Sequence, residues 1–180
     1  ESMCAVVKGY AIVMRNSDNP EQRANVVFDA PLWHWYSDKD RDRQLGEGMR
    51  ETFGIDRETC RRAIAAADEA QHQFRSELVA AGREVIDQVR REGSYAVVLA
   101  SRPYHNDPLV NHDLPGMFTA LGIPVLTPDA VPGIDGVDLS NSRLDIVNNY
   151  HARMLSTAII AAKDPNLEYA QIVSFGCGHD

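Results

Sequence analysis

The sequence predicts an α/β fold of three layers, with a mainly parallel sheet and one unusually long helix. Short apolar runs alternate with helical patterns in the second half of the 180-residue chain, and this alternation is typical of βαβ units with right-handed crossovers. A periodicity near 3.6 residues extends over residues 56–92 and predicts the long helix. We therefore expect a single α/β domain over 1–180, with a bracing helix at 55–93 and a Rossmann-like βαβαβ core at 94–180.

The first third of the chain carries weaker patterns. Residues 5–14 are apolar and fit a helix or a strand equally well. Residues 26–28 are two valines and a phenylalanine, which favour a short strand. The aromatic cluster of Trp33, Trp35 and Tyr36 fits an interface, a pocket lid or packing beneath the long helix, and these alternatives stay open.

The long helix has a recognisable start and an apolar stripe. Asp56 is suited to cap its amino end. Apolar side chains then recur at intervals of three or four residues, with one interval of seven; they are Cys60, Ile64, Ala67, Phe74, Leu78, Ala81, Val85 and Val89. We expect Cys60 to lie in the core. Gly82 costs about 1 kcal/mol in a helix interior, so a bend or a break is expected there.

Three strands and two helices complete the predicted core. The first strand is apolar throughout, as strands buried on both faces of a parallel sheet are. In chain order the elements are strand 95–100, helix 114–121, strand 123–127, helix 144–159 and strand 168–174.

Composition excludes several classes of protein. The net charge of −8 argues against nucleic-acid and anionic-membrane partners, because both select basic surfaces. No apolar run is long enough for a membrane helix. The three cysteines, Cys4, Cys60 and Cys177, are too few for a disulfide scaffold, so we expect a reducing cytoplasm. The chain ends suggest an excised piece of a longer chain.

Chemistry is expected in the loop 101–107, because ligands of open α/β sheets bind beyond the carboxyl ends of the strands. Arg102 can hold a carboxylate or phosphate, and His105 can transfer protons near neutral pH. With Tyr104 they are our candidate catalytic or pocket residues. The alternative is a polar loop capped by its own side chains.

Weaker candidates for binding a cofactor or substrate in the same pocket are Asn106, Asn111 and His112. A simple capping turn before the helix at 114–121 explains the last two residues equally well.

A second candidate segment follows the third strand. Cys177 stands between Gly176 and Gly178, which suits a metal-bound or reactive thiolate; a glycine-rich turn is the alternative. Cys4 by itself is more typical of a small buried residue. A hydrolase that pairs His105 with Cys177 is a third hypothesis. The sequence contains no CxxC, P-loop or dinucleotide-binding motif.

The same motifs resemble a known family. They are Ser-Arg-Pro-Tyr-His-Asn-Asp-Pro at 101–108, Asn-His at 111–112, Leu-Gly-Ile-Pro-Val-Leu at 121–126, Asn-Asn-Tyr at 148–150 and Ser-Phe-Gly-Cys-Gly at 174–178. In this order they resemble the large CoA-substrate-specific enzyme activases related to 2-hydroxyglutaryl-CoA dehydratase. Those chains fuse ATPase activator modules, a central domain of uncharacterised function and dehydratase-like sequence. This chain is similar to the central domain.

The resemblance implies an iron–sulfur setting, in which three cysteines hold a [4Fe–4S] cluster. Cys177 matches the family's Phe-Gly-Cys-Gly motif, and Cys4 is similar to a family cysteine that Pro-Val-Val usually follows, where this chain has Ala5. Ser101 stands where the family usually has glycine. A further cysteine is expected upstream of Glu1, and ATP is expected to bind only the missing activator modules.

Two functions follow as hypotheses. The first is a cluster- or substrate-binding domain of an ATP-driven, CoA-ester-directed activase or dehydratase, with Cys177 and Cys4 as ligands. The second is a non-catalytic domain that docks the activator onto the dehydratase. The expected partners are other domains of the same large chain and a CoA thioester substrate, and a homodimer is left open.

Overall fold

The computed structural model describes residues 5–33, 35, 37–142 and 149–173, with side chains from Lys8 onward. The chain divides into two compact units, Glu1–Gln71 and His72–Asp180, which are described separately below. The division falls within the long helix, and the organisation as a single domain over 1–180 stays a prediction.

The first unit is helical where it is regular. It contains α1 (Ala5–Ser17), α2 (Asp38–Phe53) and the first turns of α3 (Arg57–Glu92). The ambiguous run at 5–14 is thus a helix. The strand predicted at 26–28 is wrong: its backbone is irregular and Val27 is 77 % exposed. A strand requires a neighbour to bond its backbone, and the described part of this unit contains no other strand.

Helix α2 begins in a polar run of the sequence, where no periodic pattern of apolar residues predicts a helix. The Ser37 Oγ accepts a bond from the Asp40 N–H at 3.2 Å and donates one to the Asp40 carboxylate at 2.8 Å, which is a capping interaction. Gly54 ends the helix in the left-handed conformation, with φ of 68°. Arg41 then joins α2 to α3 through two bonds to the Asp68 carboxylate, at 2.7 and 2.8 Å. The bonds to Asp68 raise the pKa of Arg41 most, and a bond to Asp42 raises it further.

The aromatic cluster is partly described. The rings of Trp33 and Trp35 lie 6.3 Å apart. Trp33 packs against Gly48 of α2, where a Cβ atom would approach the indole to 2.8 Å. Trp35 is exposed, and Tyr36 lies outside the described residues. Trp33 therefore packs on a helix, and the role of the rest of the cluster stays open.

The Asp56 cap makes the stability of α3 depend on pH. Its carboxylate accepts bonds from the Thr59 N–H at 2.9 Å and the Thr59 hydroxyl at 2.8 Å, which lower the pKa of Asp56. A depressed folded-state pKa stabilises the fold above the unfolded-state pKa, and this contribution is lost as the pH falls through the folded-state value.

We expect Asp56→Asn to melt below the wild type at pH 7, because the amide cannot carry the charge that the helix amino end favours. The difference in Tm should begin to shrink as the pH approaches ~4, the ordinary pKa of a carboxyl group, and should vanish only below the lower folded-state pKa of Asp56. Thermal melts from pH 7 down to acid would show this. A difference in Tm that stays constant across the titration would contradict the assignment.

The second unit holds a parallel three-stranded sheet, so the predicted α/β class is confirmed. Strands β1 (Ala96–Ala100), β2 (Val125–Leu126) and β3 (Leu167–Gln171) are ordered β2-β1-β3. The register pairs Val98 with Leu126 on one side and with Tyr169 on the other. The described helices between the strands are α4 (Pro108–Asn111), α5 (Leu114–Ala120) and α6 (Asn149–Ala161).

The central strand is buried on both of its faces, since every residue of β1 is buried. Ala96 and Val98 share one core cluster with Ile86 and Val89 of α3 and with Ala161 of α6. Val97 and Leu99 point to the opposite face, because side chains alternate along a strand, and they are buried there. The apolar pattern of this strand thus predicted its environment correctly.

Helix α3 is continuous over its 36 residues and does not break at Gly82. Cys60 is 6 % exposed, which confirms its predicted burial. Phe74, expected on the buried stripe, is 58 % exposed, because the core cluster of the second unit contacts α3 only from Leu78 onward. Neither α3 nor any other helix in the described part of the chain is apolar enough over a sufficient length to cross a membrane.

Candidate functional site

The order of the strands creates a crevice at the carboxyl edge of the sheet. The chain passes from β1 to β2 on one side and returns to β3 on the other. Ligands of open parallel sheets bind at such a reversal, between the loops that follow the two strands. The Ile172 N–H bonds the Ala100 carbonyl at 2.9 Å, so the β1–β3 pairing continues to this edge. The loop 101–107 therefore begins beside the point where the chain leaves β3.

Two local turns shape this loop. Arg102 has extended backbone, and a 3₁₀ turn over Pro103–Asn106 follows it. The His105 N–H closes the turn on the Arg102 carbonyl at 2.9 Å. Asp107 then caps α4, since its carboxylate accepts the Leu109 N–H at 2.8 Å. Proline suits the first turn position, because its ring fixes the required backbone angle.

His105 is the most deeply buried polar side chain of the loop, at 2 % exposure. The Tyr104 ring packs against it, with 4.2 Å between the ring centroids. Neither ring nitrogen of His105 has a hydrogen-bond partner among the described residues. A buried donor or acceptor without a partner costs about 1–3 kcal/mol. The imidazole is therefore buried with two polar atoms that no described residue bonds.

Asn111 fastens the backbone of His105 to α4. It is 3 % exposed, and its Nδ2 donates to the His105 carbonyl at 2.7 Å. The Oδ1 atom of Asn111 has no partner within the described part of the chain. His105 and Asn111 together therefore have three buried polar atoms without a described partner: the two ring nitrogens and Oδ1.

Arg102 links the loop to α6. Its Nη2 lies 3.3 Å from the Nε2 atom of His151. A guanidinium only donates hydrogen bonds, so this histidine nitrogen accepts. His151 was not among the candidates from the sequence, although it directly follows the Asn-Asn-Tyr motif at 148–150. We name Arg102, His105, Asn111 and His151 the edge cluster.

A narrow cleft adjoins the edge cluster, between loop 101–107, the turn at 128–130 and α6. Its walls include Ser101, Asn106, Tyr150 and Arg153. Arg153 forms an ion pair with Asp129. Burial lowers the pKa of Arg153, and the nearby charge of Arg75 lowers it further. Asn106 therefore borders a cleft that contains a partly desolvated guanidinium.

The other predicted site residues are not part of the edge cluster. Tyr104 keeps nearly half of its surface exposed. His112 is exposed and ends α4 in the left-handed conformation, with φ of 54°. Cys4 and Cys177 lie outside the described residues, so their roles as metal ligands stay predictions. Within the described ranges, no three His, Cys, Asp or Glu side chains are grouped so that they could hold a metal.

Comparison with known proteins identifies a family. The family described as the CoA enzyme activase uncharacterised domain matches residues 1–131. That range contains loop 101–107 and Asn111, whereas the Phe-Gly-Cys-Gly motif at 175–178 follows it. No curated protein and no solved structure matches the chain.

Proposed function

Because the chain belongs to the family of CoA enzyme activase uncharacterised domains, we propose that its edge cluster binds the acyl end of a CoA thioester. The full protein would be an ATP-driven activase or a 2-hydroxyacyl-CoA dehydratase-like protein. One observation carries the proposal: His105 is buried at the carboxyl edge with both ring nitrogens unpartnered among the described residues. Such a group costs stability unless a ligand completes it.

The chemistry of the cluster suits a 2-hydroxyacyl group. A neutral imidazole offers one donor and one acceptor, so His105 could donate to the thioester carbonyl and accept from the neighbouring hydroxyl. Arg102 adds a charged donor for a carbonyl or carboxylate oxygen. Burial strengthens each of these bonds, because the local dielectric constant is low.

A phosphate-free thioester tests the proposal. Calorimetry should detect binding of S-lactoylpantetheine, and weaker binding of S-propionylpantetheine, which lacks the hydroxyl. Arg102→Gln and His105→Leu should each weaken lactoyl binding by about tenfold or more, because bonds to charged or buried groups are lost. Arg91→Gln, an exposed arginine on α3, is the matched control. Equal affinities for all four proteins would refute the edge cluster as the acyl site.

The iron–sulfur function is a second proposal, favoured by the path of the chain. Strand β3 leads to the carboxyl edge, and Cys177 follows Gln171 by six residues. The described residues themselves do not provide a set of cluster ligands, and their single free thiol, Cys60, is buried in the first unit. The ligands would therefore be Cys177, Cys4 and a further upstream cysteine, in a reducing anaerobic cytoplasm.

Anaerobic reconstitution of an upstream-extended chain tests the cluster directly. We expect it to bind ~4 irons per chain, as one [4Fe–4S] cluster requires. Cys177→Ser should lose the iron and the absorption of the cluster, while Cys60→Ser should keep both. Absence of iron from the extended chain would favour the docking-domain alternative.

A further inference from the structure

A groove in the first unit lies between α2 and the start of α3. Its volume is about 830 Å³, which is within the usual range for small-molecule sites. The buried Cys60 and the partly buried Ile64 form an apolar part of its lining. Five other lining side chains are cations: Lys39, Arg43, Arg50, Arg57 and Arg61.

Two of the three acidic side chains of the groove are ion-paired, and the third, Asp40, caps α2. Glu47 pairs with Arg43 at 3.0 Å. Asp42 pairs with Arg41 at 2.9 Å. Asp40 accepts a bond from the Ser37 hydroxyl at 2.8 Å.

The cations of the groove are less fully neutralised. Arg61 pairs with Glu58, just outside the groove, at 2.7 Å. Lys39, Arg50 and Arg57 have no ion pair or side-chain hydrogen bond within the described residues. The groove is therefore a local positive surface on a chain whose net charge is −8.

Two of the unpaired cations lie at one end of the groove. Arg50 is in the last turn of α2 and Arg57 is the first residue of α3, on either side of the turn at Gly54. The helices run antiparallel, because Arg41 near the start of α2 bonds Asp68 along α3. A cation at a helix amino end opposes the helix dipole. The stability of α3 therefore does not explain why an arginine is its first residue.

We propose that this groove binds a small molecule that carries two or more phosphate groups, with Arg50 and Arg57 as its phosphate ligands. Guanidinium groups match phosphate oxygens in pairs. The acids Asp40 and Asp42 line the far end of the groove, which favours a short ligand over a long acidic protein segment. This inference is independent of the edge cluster.

Calorimetry with the 180-residue chain tests the groove, with inorganic pyrophosphate, ADP and adenosine as probes. Pyrophosphate and ADP should bind, adenosine should not, and affinity should fall as salt is raised. The double variant Arg50→Gln/Arg57→Gln should weaken binding by about tenfold or more. Arg62→Gln is the matched control, because Arg62 is exposed on α3, bonds the Thr59 hydroxyl and does not line the groove.

Each outcome decides the proposal. Tighter binding of ADP than of pyrophosphate supports a nucleotide ligand, and equal binding supports a free polyphosphate. The proposal is overturned if no phosphate probe binds, if Arg62→Gln weakens binding as much as the double variant, or if an acidic peptide binds more tightly than both probes. Circular dichroism of all variants checks that these exposed substitutions leave the fold intact.

Discussion

Gly82→Ala is expected to lower the free energy of unfolding by about 1–3 kcal/mol, the usual cost of an overpacked contact. A Cβ atom on Gly82 would lie 1.9 Å from the Ala130 carbonyl oxygen and 2.8 Å from its carbon. These are backbone atoms, so they cannot move aside as a flexible side chain would. The turn that carries Ala130 and the helix α3 would have to separate, although both belong to the core.

The same substitution at Gly46 provides the control. Gly46 lies inside α2, and a Cβ atom there meets nothing within 4 Å. Gly46→Ala should therefore raise stability by up to about 1 kcal/mol, the difference in helix propensity. Urea denaturation followed by circular dichroism measures both variants. Opposite signs support close packing at Gly82, and a neutral or stabilising Gly82→Ala would refute it.

His105→Leu is expected to raise the free energy of unfolding by about 1–2 kcal/mol, because it removes two buried polar atoms without described partners. For a chain of this size each kcal/mol corresponds to a Tm shift of roughly 2–4 °C. Most substitutions of buried residues have the opposite sign. The same variant should lose affinity for the hydroxyacyl thioester, so stability and binding would change in opposite directions.

Asn111→Leu is the contrasting variant. It removes the Nδ2 donor and leaves the His105 carbonyl without this bond, so stability should fall by about 1–3 kcal/mol. Thermal melts of both variants separate the two roles. If His105→Leu is as destabilising as Asn111→Leu, the imidazole is a structural element of the core, and its assignment to ligand binding fails.

Local patterns predicted the regular elements of the second unit well. A fully apolar run identified β1, and a regular apolar stripe identified α3, because both signals repeat over many residues. The wrong prediction falls on a segment whose preference for a strand needed a neighbouring strand to pair with. Residues 26–28 favour a strand but have no neighbouring strand in the described part of their unit. Helix α2 has a polar surface, and its clearest signal was the serine that caps it.

The edge cluster was only half predictable. Arg102 and His105 were found because the loop that follows an apolar strand is a usual ligand site. His151 was missed, since it lies 49 residues from Arg102 and no local pattern connects them. The positive groove was missed for the same reason: Arg50 and Arg57 are ordinary surface residues until α2 and α3 place them together.

The sequence by itself determined the fold class, the long helix, the buried central strand and the polar loop that follows this strand. Each depends on residues near one another along the chain, whose side-chain period reveals what they face. Only the tertiary structure decided the strand order, the requirement for Gly82 beside Ala130 and the contact of Arg102 with His151. These features depend on which distant segments pack together, and packing of distant segments leaves no periodic trace in either segment.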